Sequence, residues 1–290
     1  MMAALLSSCY SSKKAKLTKI VNTNIEQQEK ELAEIKNIEA AKIEKLSKGE
    51  IDSTIANKIN IRLNESKKNI AAARKIMDSL TASIAVKNSF KENYKTILKS
   101  KISFLRNNAK SFNERISDYG LITDVLTNAK QTQFDLATFF GPGEYLVPSD
   151  KAAQAKTSFA PLIDTILKFS GKYPSIPKTS TIVLQGFTDA TGIVRGSPLY
   201  YKLANELKQE NPTNASLNLA LSKLRTQSIS KIVNQLIQEK QPEFLKLQMI
   251  NIEVIQEGRG EQLPNKAILN YTNNDARRRI VLFFWSVLPK

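Results

Sequence analysis

The uneven distribution of proline and glycine constrains the fold of this 290-residue chain more than any other feature. All ten prolines lie at or after Pro142, and only Gly49 and Gly120 precede Gly141 among the glycines. Proline and glycine interrupt helices and mark turns, so a long stretch almost without them favours continuous helix. We therefore expect an N-terminal helical region followed by a turn-rich region of mixed structure.

The N-terminal region has helical periodicity. Residues 16–46 form one amphipathic pattern, which Gly49 ends and after which Asp52 or Ser53 can cap a second helix. From there apolar residues recur at alternating spacings of four and three, as in the seam of a coiled coil. This seam consists of two series, Ile59, Ser66, Ala73, Leu80 and Leu63, Ile70, Met77, Ile84.

The coiled-coil pattern is interrupted at Lys87 and Lys91 and resumes from Leu98 with its phase only half kept. One long helix and a hairpin near Leu80–Ser83 are both compatible with it. We interpret residues 15–120 as a helical stalk that serves as a spacer or docks partners, and residues 121–132 as a linker.

The charge and the absence of histidine exclude several functions. The chain has 43 Lys and Arg, 27 Asp and Glu and no His, a net charge of +16. Without histidine it has neither Ser-His-Asp nor Cys-His catalysis, nor a histidine-containing zinc site. The lysines are scattered along helices near glutamates, which is typical of a solvated face rather than of a nucleic-acid site. We expect no enzyme activity, no metal or other cofactor, and no nucleic-acid partner.

The single cysteine, Cys9, ends the stretch Leu-Ser-Ser-Cys. This stretch resembles the bacterial lipobox, where a signal peptide is cut before a cysteine that then carries lipid. We expect lipidation at Cys9, which would attach the chain to a membrane, and a lipobox or tether over residues 1–14. The preceding apolar stretch is short and lacks basic residues, so an incidental free cysteine is the alternative. No intramolecular disulfide can form.

The second region predicts strands and helices in alternation. We expect a strand at 133–140 followed by a turn, and a helix at 149–170 that kinks or restarts at Pro161. A strand over 181–186 and a helix over 215–239, capped by Thr213 or Asn214, come next. Two more strands are expected at 247–256 and 279–286. The order β-α-β-α-β-β predicts an α+β sandwich with helices on one face of a mixed sheet.

Four motifs in this region occur in a distinctive order. They are Gly186–Gly192 (GFTDATG), Asn218–Thr226 (NLALSKLRT), Gly258–Pro264 (GRGEQLP) and Arg277–Ile280 (RRRI). Together they resemble the C-terminal, peptidoglycan-associated domain of the OmpA family. The resemblance covers about residues 133–286, within an expected domain over residues 133–290, and it implies the OmpA-like sandwich and binding to peptidoglycan. Residues 193–217 form an insert where the family has a much shorter link.

The residue types in these motifs suit a free amino-acid end group, which offers an ammonium and a carboxylate. Asp189 can accept from the ammonium, and Arg225 can clamp the carboxylate in a bidentate pair. Asn218 lies two helical turns before Arg225, so both share one face of the helix. The resemblance implies that the ligand is the diaminopimelate residue of the stem peptide, with Thr188, Asn218 and Arg278 beside the main pair.

Each of these residues also has a purely structural interpretation. Asp189 can fold its own turn by accepting backbone N–H bonds, and Arg225 can pair with any nearby carboxylate. Two substitutions depart from the family pattern, Phe187 for histidine and Arg277 for asparagine, and the second adds positive charge near the site. The insert contains an amphipathic stretch, Leu199–Leu207, which predicts a short helix that rims the site or binds a partner.

The favoured hypothesis is a non-enzymatic outer-membrane lipoprotein that faces the periplasm and anchors the envelope to peptidoglycan. The alternative is a structural subunit of an envelope secretion, motility or transport complex, with partner proteins on the helical stalk. A flagellar stator of the MotB type is disfavoured, because no N-terminal spanning helix with an intramembrane Asp is seen. A domain that kept the fold but lost wall binding is a third possibility, and a carboxylate-based hydrolase a distant fourth.

Overall fold

The computed structural model describes residues 2–85, 97–141, 143–265 and 268–290, and only the backbone of residues 2–10, 97 and 98. The chain divides into two compact units. The first comprises Met1–Glu44 and Ala56–Asp124, and the second comprises Lys45–Ile55 and Val125–Lys290. Within the described residues, no helix has both the length and the apolar character that crossing a membrane requires.

Helices build the first unit. They are α1 (Met2–Ser47), α2 (Ser53–Ala85), α3 (Ile97–Lys110) and α4 (Phe112–Asn128). The predicted seam of α2 lies inside, since all of its residues are buried except the half-buried Ser66. α1, α2 and α3 contribute to one apolar core of Leu17, Val21, Ala73, Met77, Leu80, Ile84, Ile102 and Leu105.

α2 and α3 lie side by side, which answers the question that the interrupted seam left open. Lys101 of α3 donates to Ser79 of α2 at 2.6 Å, and Ile84 and Ile102 belong to the same core. Residues this far apart in one continuous helix would be separated by about 1.5 Å for each position between them, so they could not touch. The single long helix is therefore excluded, and the predicted hairpin position is also wrong, because Leu80–Ser83 lie within α2, which continues to Ala85. Lys87 and Lys91 lie outside the described residues.

Charged and polar groups are buried in the first unit beside its apolar core. Glu31 is 1% exposed and accepts hydrogen bonds from Arg115, from Nη2 at 2.6 Å and from Nε at 3.0 Å. The backbone carbonyl of Asn108 accepts a further bond from Arg115 at 3.1 Å, and Asn108 donates to Asn24. Such a bidentate pair joins α4 to α1 and satisfies the buried carboxylate.

The second unit is an α+β domain with a mixed four-stranded sheet, which confirms the predicted fold class. Its strands are β1 (Thr132–Asp135), β2 (Lys178–Phe187), β3 (Met249–Gly260) and β4 (Ile280–Pro289). Its helices are α5 (Ser149–Ser170), α6 (Pro198–Leu207), α7 (Asn214–Glu239) and α8 (Gln241–Lys246). In the sheet order β1-β4-β2-β3, β2 pairs parallel to β3, and the other pairs are antiparallel.

Glycines let α7 approach the sheet closely. A Cβ at Gly186 would lie 2.6 Å from Thr226 Cγ2, and one at Gly258 would lie 2.8 Å from the Leu219 carbonyl oxygen and the Lys223 nitrogen. Real side chains do not tolerate such distances, so glycine is required on this face of β2 and β3. The same contact fixes α7, which carries Asn218 and Arg225, against the ends of these strands.

The segment between α1 and α2 belongs to the second unit. Gly49 ends α1 with a positive φ of 68°, and Asp52 caps α2 by accepting from the backbone N–H groups of Thr54 and Ile55. Gln185 of β2 donates to Asp52 at 3.4 Å, and Thr54 donates to Glu257 of β3 at 3.2 Å. This segment therefore docks on the face of the sheet opposite α7.

Several predicted boundaries differ from the structure. The first strand stops at Asp135, because the Asp135 side chain accepts from Ala137 N and starts a 3₁₀ turn, Leu136–Thr138. Helix α4 continues to Asn128, so most of the predicted linker 121–132 is helical. Helix α5 contains Pro161 without a restart. The backbone of the predicted tether 1–14 is helical from Met2. The predicted domain boundaries themselves stay predictions.

Candidate functional site

The turn after β2 is held in place by backbone bonds from both sides. Thr188 N donates to Gly260 O at 2.8 Å, and Ala190 N donates to Asn273 O at 2.6 Å. The side chain of Thr188 is 1% exposed, and its Oγ1 has no hydrogen-bond partner among the described residues. The turn is thus rigid before any ligand binds, and it contains one buried polar atom that is left unsatisfied.

Asn218, a predicted ligand residue, ties the turn to the β3–β4 connection. Its Nδ2 donates to Thr191 O at 3.2 Å and to Glu261 Oε1 at 2.7 Å. Asn214 contacts the same carboxylate at 3.0 Å and accepts from Ile193 N at 2.9 Å. With both donors of its amide engaged and only 2% of the residue exposed, Asn218 positions the turn.

Arg225 is a buried cation with only part of its hydrogen-bonding capacity used. It is 7% exposed, its Nε donates to the Glu144 carbonyl at 3.0 Å, and its guanidinium lies 5.4 Å from the Phe140 ring centroid. No acceptor among the described residues contacts its terminal Nη amines. An arginine buried in this way is expected to have a partner, so Arg225 is a candidate binding residue.

The electrostatics of Arg225 indicate an uncompensated positive charge. Burial, helped by the neighbouring charge of Arg279, lowers the pKa of Arg225 to about 10. Asp189 and Glu144 act in the opposite direction, but they do not restore the ordinary pKa of the guanidinium. The charged form of Arg225 is therefore short of anionic partners, which a bound carboxylate would supply.

Asp189 faces Arg279. Its Oδ2 lies 3.7 Å from Arg279 Nε, and its side chain is 14% exposed. No ion pair within 4 Å joins Asp189 to Arg225 in the described part of the chain, although Asp189 influences the pKa of Arg225. The structure thus brings the two predicted residues into electrostatic reach of each other, with Arg279 as a contact of Asp189.

Arg278, another predicted ligand residue, is committed to the backbone. It is 5% exposed, and its terminal amines donate to the carbonyl oxygens of Thr272 and Glu261. Arg279, which sequence reasoning missed, is the arginine of this run that lies beside Asp189. The backbone carbonyl of Arg279 accepts from Leu136 N at 2.9 Å, which fixes it next to the 3₁₀ turn.

The extra positive charge expected from Arg277 is neutralised locally. Arg277 bonds to the Asp275 carboxylate, with Nε at 3.0 Å from both oxygens, and its guanidinium lies 5.2 Å from the Tyr271 ring centroid. Hydrogen bonds from Arg277 lower the pKa of Asp275 to about 2. Arg277 therefore belongs to an exposed pair and does not add a free cation to the site.

A cavity of about 310 Å³ lies beside these groups. Its lining comprises Leu136, Ala137, Phe140, Gly141, Lys151, Arg225 and Arg279. The three ionisable residues among them are all cations. Asp189 is not part of this lining, but it contacts Arg279, which is. The cavity is the size of a small polar ligand, and its walls favour an anionic group.

The insert forms a helix, as predicted, and it supports the loop that carries Glu144. Helix α6 is capped by Ser197, whose Oγ accepts from Tyr200 N at 3.1 Å. It packs on α7 through an apolar cluster of Tyr200, Leu203, Ala204, Leu217, Ala220 and Leu221. Tyr145 packs against this cluster directly after Glu144, so the insert helps to fix the carbonyl that binds Arg225.

The side chain of Cys9 lies outside the described residues, and lipidation there stays a prediction. No family model and no curated protein matches the chain.

Two solved structures are similar to part of the chain. One is a MotB-like protein from Desulfovibrio vulgaris, 14% identical, covering 54% of this chain and 72% of that chain at a TM-score of 0.30. The other is the periplasmic domain of MotB, 16% identical, covering 54% of this chain and 62% of that chain at a TM-score of 0.29. The chain thus spans less than two thirds of the second structure. Similarity this low says nothing about the function of this chain.

Proposed function

We propose that this chain is a non-enzymatic envelope protein that binds peptidoglycan without covalent chemistry, through the diaminopimelate end group of the stem peptide. The observation that carries the proposal is the buried Arg225, whose terminal amines have no acceptor among the described residues and lie beside a cavity lined by cations. A carboxylate that enters this cavity would pair with Arg225 in a charge-assisted, bidentate bond. Asp189 would attract the ammonium of the same end group.

In this proposal the remaining motif residues prepare the site. Thr188 offers a buried hydroxyl that has no partner among the described residues. Asn218 and Arg278 hold the turn and the β3–β4 connection by bonds to backbone and to Glu261. Arg279 would hold Asp189 in place through their contact. Preorganisation of this kind lowers the entropic cost of binding.

The test is co-sedimentation of the full chain with purified peptidoglycan. Diaminopimelate-type peptidoglycan should pellet the wild type, and lysine-type peptidoglycan should not, because lysine lacks the end-group carboxylate. Arg225→Gln and Asp189→Asn should stay in the supernatant. The matched control is Arg195→Gln, an exposed arginine of the insert that contacts Asn211. Equal pelleting of all variants, or of both polymers, would contradict the proposal.

The location that we propose is the periplasmic face of the outer membrane, with a lipid on Cys9 as the anchor. Its support is the Leu-Ser-Ser-Cys stretch alone. Metabolic labelling with a palmitate analogue tests it, since the label should enter the wild type and not Cys9→Ser. Label in both proteins, or in neither, would contradict the proposed lipid anchor and would leave the peptidoglycan proposal unaffected.

A second candidate function is that of a structural subunit in an envelope complex, with the helical unit as the docking element. It is favoured by Ile43 and Ile61, which are 64% and 57% exposed and flank the contact between Lys42 and Asn60. Neighbouring exposed apolar side chains on helices are a recurrent feature of partner surfaces. Cross-linking in cells should capture a membrane protein with the wild type and lose it with Ile43→Lys and Ile61→Lys.

A further inference from the structure

Lys151 is the ionisable residue in the cavity wall that the peptidoglycan proposal does not use. It lies in the first turn of α5, it is half-buried, and it lines the same cavity as Arg225 and Arg279. No acceptor among the described residues contacts its ammonium. Lys156, five positions further along the helix, does have a partner and bonds to Glu239.

One carboxylate does not balance the charge of this cavity. Arg225, Arg279 and Lys151 line about 310 Å³, while Asp189 contacts Arg279 and the Glu144 carboxylate accepts from the backbone N–H of Gly141. Arg279 and Arg225 also repel each other, since the charge of Arg279 disfavours the charged form of Arg225. If Arg225 binds the carboxylate of the end group, Lys151 still faces the cavity without an anion.

We propose that Lys151 binds a second carboxylate of the same stem peptide, so that the site prefers ligands whose additional carboxyl groups are free over ligands in which they are amidated. The inference rests on the proposed function and names a narrower ligand class within it. Lys151 would thus determine specificity, while Arg225 and Asp189 bind the end group.

Two peptides separate this inference from the proposal beneath it. Both are stem tripeptides that end in diaminopimelate with its amino-acid end group intact. The glutamyl and terminal carboxyls are free in one and amidated in the other. Calorimetric titration of the full chain should show the free-carboxyl peptide binding about fivefold more tightly, the size expected of a partly exposed ion pair.

Two substitutions of Lys151 then test the residue itself. Lys151→Gln should bind both peptides equally, and Lys151→Glu should prefer the amidated one, because repulsion replaces attraction. Lys156→Gln is the matched control on the same helix and should keep the wild-type preference. Neither substitution at Lys151 alters a buried residue, so both proteins should keep the thermal stability of the wild type.

The outcomes are distinct. Wild type that binds both peptides without preference, or Lys151→Gln that keeps the preference, overturns the inference and leaves the peptidoglycan proposal standing. Wild type that binds neither peptide overturns the proposal and the inference with it. A preference lost in Lys151→Gln and reversed in Lys151→Glu establishes the second carboxylate contact.

Discussion

Arg115 in the helical unit and Arg225 in the α+β unit show two uses of an arginine held inside a fold. Arg115 meets the carboxylate of Glu31 with two nitrogens and a carbonyl with a third contact. Arg225 is 7% exposed and lines a cavity, but in the described part of the chain it donates only through Nε, to a carbonyl. The comparison shows that a buried charge can be paired within the fold, whereas one without an anionic partner beside a cavity is a candidate for ligand binding.

The largest expected effect on stability comes from Arg115→Met. The substitution leaves Glu31, which is 1% exposed, as a buried charge without its partner. We expect the free energy of unfolding of the helical unit to fall by about 3–5 kcal/mol. Denaturant titration followed by circular dichroism measures this. Arg62→Met, which removes an exposed pair with Glu65, should change it by less than about 1 kcal/mol. Replacing both Arg115 and Glu31 by apolar residues should restore much of the loss.

The next largest effect tests whether the segment between α1 and α2 belongs to the α+β unit. Ile51 is 2% exposed and lies in that segment. Ile51→Ala should lower the free energy of unfolding of the α+β unit by about 2–5 kcal/mol, since it opens a cavity in a packed site. The control Ile61→Ala, 57% exposed, should cost far less. Fluorescence of Trp285 in β4 reports on this unit. An unchanged free energy of unfolding in Ile51→Ala would show that the segment does not pack on the sheet.

The close contact between α7 and the sheet predicts a smaller loss of stability when a glycine at that contact is replaced. Gly258→Ala places a methyl group 2.8 Å from two backbone atoms of α7 and should cost about 1–3 kcal/mol. Gly192→Ala is the matched control, because its Cβ would meet nothing closer than 3.9 Å. Thermal unfolding of both variants tests the contact. Equal melting temperatures would show that α7 does not press on β3.

Arg225→Met should have the smallest effect on stability. We expect the free energy of unfolding to change by at most about 1 kcal/mol, in either direction, because an apolar residue replaces an uncompensated charge. The pH dependence of stability tests the effect of this charge on folding. Burial lowers the pKa of Arg225 to about 10, so above that pH the unfolded chain binds more protons than the folded one. Stability of the wild type relative to Arg225→Met should therefore rise as pH increases beyond about 10. Unfolding measurements on both proteins across this pH range check the prediction. A stability difference that falls as pH rises would contradict it.

Local patterns predicted the elements, and long-range contacts decided the site. Helical periodicity and caps predicted α2 and α7, including the cap at Thr213, because these signals lie within a few neighbouring residues. The motif order placed Asp189 and Arg225 near each other. Arg279 was missed because a 3₁₀ turn, Ala276–Arg278, precedes it and resets which arginine faces the site.

The docking of Asp52 on Gln185 was also beyond sequence reasoning. The two residues lie 133 positions apart, and no local periodicity encodes a contact of that range. Lys151 was passed over for a similar reason, since a lone lysine in the first turn of a helix looks like an ordinary surface residue. Only the cavity that it shares with Arg225 distinguishes it.

The central claim is that Arg225 and Asp189 together bind a free amino-acid end group. The most direct measurement is calorimetric titration of free meso-diaminopimelate into the full chain, Arg225→Met and Asp189→Asn, because a small ligand removes the avidity of the polymer. Saturable binding by the wild type, lost in both variants at unchanged melting temperature, is the predicted result. Equal heats in all three proteins would contradict the claim.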